Sequence, residues 1–68
     1  MKFRYLPAPD IDTALLEDTV TSLLSGFTAA PGQRLVSNGE LVRLASHSLD
    51  EAHIEMIRVS RIQVQLDD

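Results

Sequence analysis

Basic and aromatic residues alternate along the start of the chain. Phe3 and Tyr5 occupy every second position between Lys2 and Arg4, and this two-residue period is typical of a strand with one buried face. Two prolines follow within the next four residues. Because proline lacks the amide that a sheet ladder requires, they end the strand. The pattern predicts a strand over residues 2–6.

A helical stripe comes next. It consists of apolar residues three, four or seven positions apart, namely Leu16, Val20, Leu23, Leu24 and Phe27, widened by Ile11 and Leu15. Such spacing places these side chains on one face of a helix. Asp10 or Asp12 can cap the first free amides, and Gly26 is a common stop. We therefore predict an amphipathic helix between these residues.

The middle of the chain carries a strong hairpin signal. Two runs rich in Leu and Val, residues 34–37 and 40–45, flank Asn38-Gly39. Asn-Gly favours the tight turn of a β-hairpin, because both central residues of that turn take positive φ. The sequence therefore predicts two antiparallel strands here.

The last third predicts a short helix and a strand. Ser48 and Glu51 have the spacing of a capping box, so a helix is expected over roughly residues 48–58. Apolar residues then alternate with polar ones from position 62 to 66, as in a strand. Residues 54–59 also alternate, and a strand there remains an alternative.

These elements predict an α+β fold of βαββαβ order in a single domain, residues 1–68. The plan is the split βαβ, or ferredoxin-like, arrangement, a four-stranded antiparallel sheet with two helices on one face. If residues 54–59 form a strand, the alternative is an N-terminal helix followed by a β-meander.

In this fold the basic and acidic residues lie on different surfaces. With apolar residues turned towards the helices, five of the six basic residues share the open face of the sheet, whereas most acidic residues lie on or beside the helices. Val36 and Leu41 also point outward in this arrangement. A partly apolar patch bordered by arginines resembles an interface. The candidate partner-binding residues are Arg4, Arg34, Val36, Leu41, Arg43 and Arg61.

Composition limits the possible partners and compartments. The net charge is −4, which argues against general affinity for nucleic acid or anionic membranes. Cysteine is absent, so disulfides and thiolate metal sites are excluded. A domain this small often needs an external stabiliser, so we expect a homodimer or an accessory subunit. No targeting segment is recognisable, and the cytoplasm is the expected compartment.

Candidate catalytic groups have simpler explanations. His47, Ser48 and His53 lie close together in sequence, and such groups can form a hydrolytic site. However, Ser48 is accounted for as a helix cap. We predict no catalytic residue, no cofactor and no metal site.

The resulting functional hypothesis is a small non-catalytic binding or regulatory protein. It would act through the basic face of its sheet or an exposed edge strand, on a protein partner or a second copy of itself. One alternative is an acidic inhibitor whose helices imitate nucleic-acid phosphates or bind a basic protein surface. Another is a small enzyme with a pocket at a subunit interface.

Overall fold

The computed structural model describes residues 1–66 and contains three helices and three short strands among them. In chain order they are β1 (Lys2–Arg4), α1 (Thr13–Leu24), β2 (Leu35–Val36), α2 (Asn38–Ala45), α3 (Glu51–Ser60) and β3 (Gln63–Gln65). None of these helices has the length and apolar character needed to cross a membrane.

The three strands form one antiparallel sheet with β3 in the centre. The spatial order is β1-β3-β2, and Val64 lies opposite Phe3 on one side and Val36 on the other. These three residues share the sheet face that is turned towards the helices, since residues directly opposite each other on paired strands point to the same face. Val36 and Val64 are fully buried.

The first third of the chain matches its pattern. β1 begins at Lys2 as predicted, although it ends at Arg4. Asp12 is the N-cap of α1, and its carboxylate accepts a hydrogen bond from the Leu15 amide at 3.1 Å. Leu16 and Val20 are fully buried beneath this helix. Apart from the exposed Leu15, the predicted helical stripe is therefore the face by which α1 packs.

The predicted hairpin is wrong, and with it the four-stranded ferredoxin-like sheet. Residues 38–45 form α2 instead of a turn and a strand. The Ser37 hydroxyl caps this helix by accepting from the Glu40 amide at 3.2 Å, and Glu, Leu, Arg and Ala are strong helix formers. Gly39 does not adopt positive φ, so the backbone that an Asn-Gly turn requires is not formed.

The meander alternative is also wrong, because residues 51–60 are helical. The predicted cap is displaced by two residues. Asp50 caps α3, and its carboxylate accepts from the His53 amide at 3.0 Å. Ser48 lies in the turn that joins α2 to α3.

The hydrophobic core lies between the sheet and the three helices. Its members among residues 1–66 are all aliphatic: Leu16, Val20, Val36, Leu41, Ala45, Ile54, Ile57, Ile62 and Val64. Aromatic residues lie at its margin, where Phe3, Tyr5 and Phe27 are partly buried.

The corner between α3 and β3 is held by two polar side chains. The Asn38 amide donates to the carbonyls of Ile57 and Ile62, both at 2.9 Å. The buried Ser60 hydroxyl donates to the Ile57 carbonyl at 2.9 Å and accepts from the Ile62 amide at 3.2 Å. These bonds satisfy backbone groups that the end of a helix leaves without partners, and they join the start of α2 to the end of α3.

Candidate binding surface

A cluster of cations lies at the N-terminal edge of the sheet. Lys2 and Arg4 are exposed on β1, on the face opposite Phe3, and pair in register with Gln65 and Gln63. Arg61 immediately precedes β3 and is exposed as well. We call Lys2, Arg4 and Arg61 the basic surface. Its neighbours on β3 are glutamines, which can donate or accept hydrogen bonds but carry no charge.

Two of these cations line one depression. Arg4 and Arg61 border an open cavity of about 340 Å³ together with Tyr5, Leu6 and Gln63. Leu6 is 61% exposed. Its amide donates to the Ser60 carbonyl at 3.1 Å, and this bond fixes the strand end beside the α3 terminus. The depression therefore combines two guanidinium groups, a side-chain amide and an exposed apolar residue.

Arg61 has an uncommon backbone conformation. It is the C-cap of α3 with φ 57° and ψ 28°, and no other non-glycine residue in the part of the chain described has positive φ. This left-handed conformation usually carries glycine, because a Cβ atom costs roughly 1–2 kcal/mol there. The chain thus places a cation where glycine would be the more stable choice.

The cations of the basic surface have no carboxylate partner among residues 1–66. The ion pairs found there join Asp50 to His53 and Arg58 to both Glu51 and Glu55. All of them lie on or beside α3. Charge at the basic surface is therefore not neutralised by the described part of the chain.

The remaining predicted arginines do not join this cluster. Arg43 lies in the last turn of α2, so its predicted position on the sheet is wrong. Arg34 is exposed just before β2, and its carbonyl accepts from the Leu66 amide at 2.8 Å. Of the four candidate arginines, Arg4 and Arg61 meet in one depression.

The predicted apolar contacts, Val36 and Leu41, are core residues. Both are fully buried, so the prediction that they point outward is wrong. Val36 faces inward because β2 pairs with β3 through Val64. Leu41 faces inward because residues 38–45 are helical, which places Leu41 and Ala45 on the same buried side. Neither side chain can contact a partner in this structure.

The sequence reasoning missed Leu6 and Gln63 as part of the depression. The signal for Leu6 was present, because positions 2, 4 and 6 of an extended strand share one side. The outward orientation of Gln63 follows in the same way, because Gln63 lies between the buried Ile62 and Val64 on an alternating strand. Their proximity depends on the pairing of β1 with β3, which no local pattern revealed.

Tyr5, which follows Arg4 of the basic surface, is hydrogen-bonded to α1. Its hydroxyl donates to a carboxylate oxygen of Glu17 at 2.6 Å. This hydrogen bond to Glu17 raises the pKa of Tyr5 above its ordinary value, since only the protonated phenol can donate it. Tyr5 therefore acts as a structural contact beneath the depression.

The histidine region is a helix cap. The Asp50 carboxylate accepts from the His53 amide and lies 2.5 Å from its Nδ1. The hydrogen bond with the His53 ring holds the pKa of Asp50 below its usual value. Ser48 and His47 are exposed in the preceding turn. Among residues 1–66, no group of three or more metal-ligating side chains is gathered.

The α2–turn–α3 segment has the order of elements found in helix-turn-helix proteins, whose second helix enters the DNA major groove. Here, the exposed side of α3 carries Glu51 and Glu55. Its cation, Arg58, is ion-paired with both. Such a surface repels phosphates, so α3 is unsuited to the usual DNA contact.

Comparison with protein-family models, with curated proteins and with solved structures found no match for this chain.

Proposed function

We propose that the chain is a small non-catalytic binding protein that recognises an acidic segment of a partner protein through its basic surface. The observation that carries this proposal is the convergence of Arg4 and Arg61 on one depression. A role as an accessory subunit or homodimer in the cytoplasm belongs to the same hypothesis.

The chemistry of the depression favours a carboxylate-bearing peptide. Arginine presents a planar fork of donors that matches a carboxylate, and Gln63 adds a neutral donor next to Arg4 in the paired strands. Leu6 offers apolar area to a side chain that adjoins the carboxylates. A combination of arginine and exposed apolar residues is characteristic of protein interfaces.

A nucleic acid fits this surface less well. Tyr5 lies at the margin of the core and bonds to Glu17, so it does not offer a free ring on which a base can stack. In addition, the whole chain carries a net charge of −4, which weakens attraction to a polyanion at long range.

Arg61 provides a sharp test of the proposal. We expect Arg61→Gly to keep or raise stability, because glycine relieves the left-handed backbone, while it removes one guanidinium group from the depression. The probe is a synthetic peptide that contains a leucine between glutamates, titrated into the ¹⁵N-labelled protein. Shift changes should centre on Arg4, Leu6 and Gln63, and Arg61→Gly should weaken binding by about twofold to tenfold.

Arg43→Gln is the matched control, since it removes an exposed arginine from α2 and should leave peptide affinity unchanged. Equal loss of affinity in Arg43→Gln and Arg61→Gly would show nonspecific attraction and contradict the proposal. A short single-stranded oligonucleotide serves as the competing probe. If the oligonucleotide binds more tightly than the peptide at physiological salt, the ligand of the basic surface is a nucleic acid and the proposal of an acidic peptide is wrong.

A further inference from the structure

A second surface, which shares no lining residue with the depression, lies between the start of α1 and the outer side of α3. It is a groove of about 440 Å³. Its apolar lining includes Ile11 just before α1, Leu15 on α1, and Met56 and Val59 on α3. The two pairs belong to different elements, so they form two apolar ridges beside one groove.

The apolar lining is open to solvent. Leu15 is 46% exposed and Val59 is 56% exposed, which places both among the most exposed large hydrophobic residues of positions 1–66. Leu15 belonged to the predicted helical stripe, yet it faces the groove and not the core. Clustered exposed apolar residues of this kind commonly mark a contact site.

The border of the groove is acidic. Asp10 and Asp12 lie at the α1 end, and Glu55 lies on α3. Glu55 pairs with Arg58, whereas neither aspartate has a cationic partner among the described residues. The border thus retains negative charge, strongest at the start of α1.

This charge disfavours two possible occupants of the groove. In a two-fold dimer both copies contribute the same surface patch, so face-to-face pairing of two grooves would bring one acidic border against another. Like charges in such a contact oppose association. An anionic membrane surface is repelled for the same reason.

We propose that the groove between α1 and α3 docks a cationic amphipathic helix of a partner protein. An amphipathic helix inserts its apolar face into a groove of this kind and exposes its polar face at the border. Lysines or arginines there would meet Asp10, Asp12 and Glu55. Met56 in the groove suits this role, because its flexible thioether adapts to side chains of different shape.

The test uses two synthetic peptides of equal length with leucines at helical spacing. One carries lysines on its other face and the second carries glutamates. Fluorescence anisotropy is measured with the full chain and with its variants. We expect binding of the lysine peptide alone, and a loss of affinity of about tenfold or more when Leu15→Gln and Val59→Gln are combined.

Asp10→Asn should weaken binding of the lysine peptide and reduce its salt dependence. Leu35→Gln and Asp18→Asn are the controls, because they alter an exposed leucine on β2 and an exposed aspartate of α1 that do not line the groove. Both should keep the affinity of the native sequence. Since the altered residues are exposed, circular dichroism should show the native fold throughout.

Three results would overturn the inference. The first is equal affinity for the two peptides, and the second is an effect of Leu35→Gln as large as that of Val59→Gln. The third is self-association of the native chain in sedimentation that Val59→Gln abolishes, which would make a second copy the occupant of the groove.

Discussion

The two halves of the molecule contribute very differently to its core. Among residues 1–66, seven of the nine buried apolar side chains lie between positions 36 and 64, and only Leu16 and Val20 come from the first half. Residues 1–34 attach to this core through half-buried positions and through the pairing of β1 with β3. The second half is thus the packing centre, and the first half covers it.

This difference bears on both proposed surfaces. The first half supplies Arg4 and Leu6 to the depression, and Asp10 and Leu15 to the groove. Each surface is completed by residues at the end or on the outer side of α3. Both proposed surfaces therefore lie at the boundary between a firmly packed half and a more lightly packed one, and residues from both halves line each of them.

The largest expected effect comes from the packing centre. Ile57 is fully buried on α3, and Ile57→Ala should destabilise the fold by about 2–5 kcal/mol, because it leaves a cavity that its neighbours fill only partly. Leu23→Ala in α1 removes a half-buried side chain and should cost clearly less. Urea denaturation followed by circular dichroism measures both free energies of unfolding. Equal losses of unfolding free energy in the two variants would contradict the idea that the second half is more firmly packed than the first.

A smaller effect is expected at the corner between α3 and β3. Asn38→Ala leaves two carbonyl groups without their side-chain donor and should cost about 1–3 kcal/mol in chemical denaturation. Asn38→Asp should cost more, since a carboxylate would face the carbonyls of Ile57 and Ile62. If Asn38→Asp is as stable as the native sequence, the corner does not depend on these hydrogen bonds.

The smallest effect is expected at the hydrogen bond between Tyr5 and Glu17, which joins two residues of the first half. Glu17→Gln should lower the pKa of Tyr5 towards its ordinary value, because the hydrogen bond to the Glu17 carboxylate is what raises it. Since the folded pKa is raised, this contact stabilises the fold fully below the unfolded pKa of tyrosine, and the stabilisation disappears as pH rises through the folded pKa.

Ultraviolet titration of the single tyrosine measures this pKa directly. Tyr5→Phe should remove the corresponding alkaline dependence of stability while β1 remains paired with β3. An unchanged Tyr5 pKa in Glu17→Gln would show that the contact does not persist in solution.

The sequence predicted the first half of the fold well because its signals are local. The alternation around Phe3, the cap at Asp12 and the stripe through Leu16 and Val20 each act within a few residues. No competing pattern covers the same positions. Hydrogen bonds and burial then follow the elements that the pattern predicts.

Two local signals compete in the second half, and the one that predicts the hairpin is the weaker. Asn38-Gly39 favours a turn, whereas Ser37 and Glu40 have the spacing of a helix cap. The helix buries Leu41 and Ala45 together, while a strand would place Leu41 in solvent. Burial against α3 and β3 decides in favour of the helix, and residue spacing alone does not show that packing.

The candidate site was predicted only in part for the same reason. Exposure of Arg4 and Arg61 and their place on or beside the sheet followed from alternation in the first and last strands. The proximity of these two residues depends on the pairing of β1 with β3. The groove between α1 and α3 depends on how two helices pack, so the sequence did not indicate it.

The central position of β3 sets an order for folding during synthesis. β1 and β2 pair with β3 and not with each other, so neither edge strand can join a ladder until residues 63–65 have left the ribosome. Phe3 can pair only after Val64 has been synthesised, and Val64 lies near the opposite end of the described chain. Closing so long a loop is slow compared with forming a helix. The helices are therefore expected to assemble first on the nascent chain, and the sheet to close last.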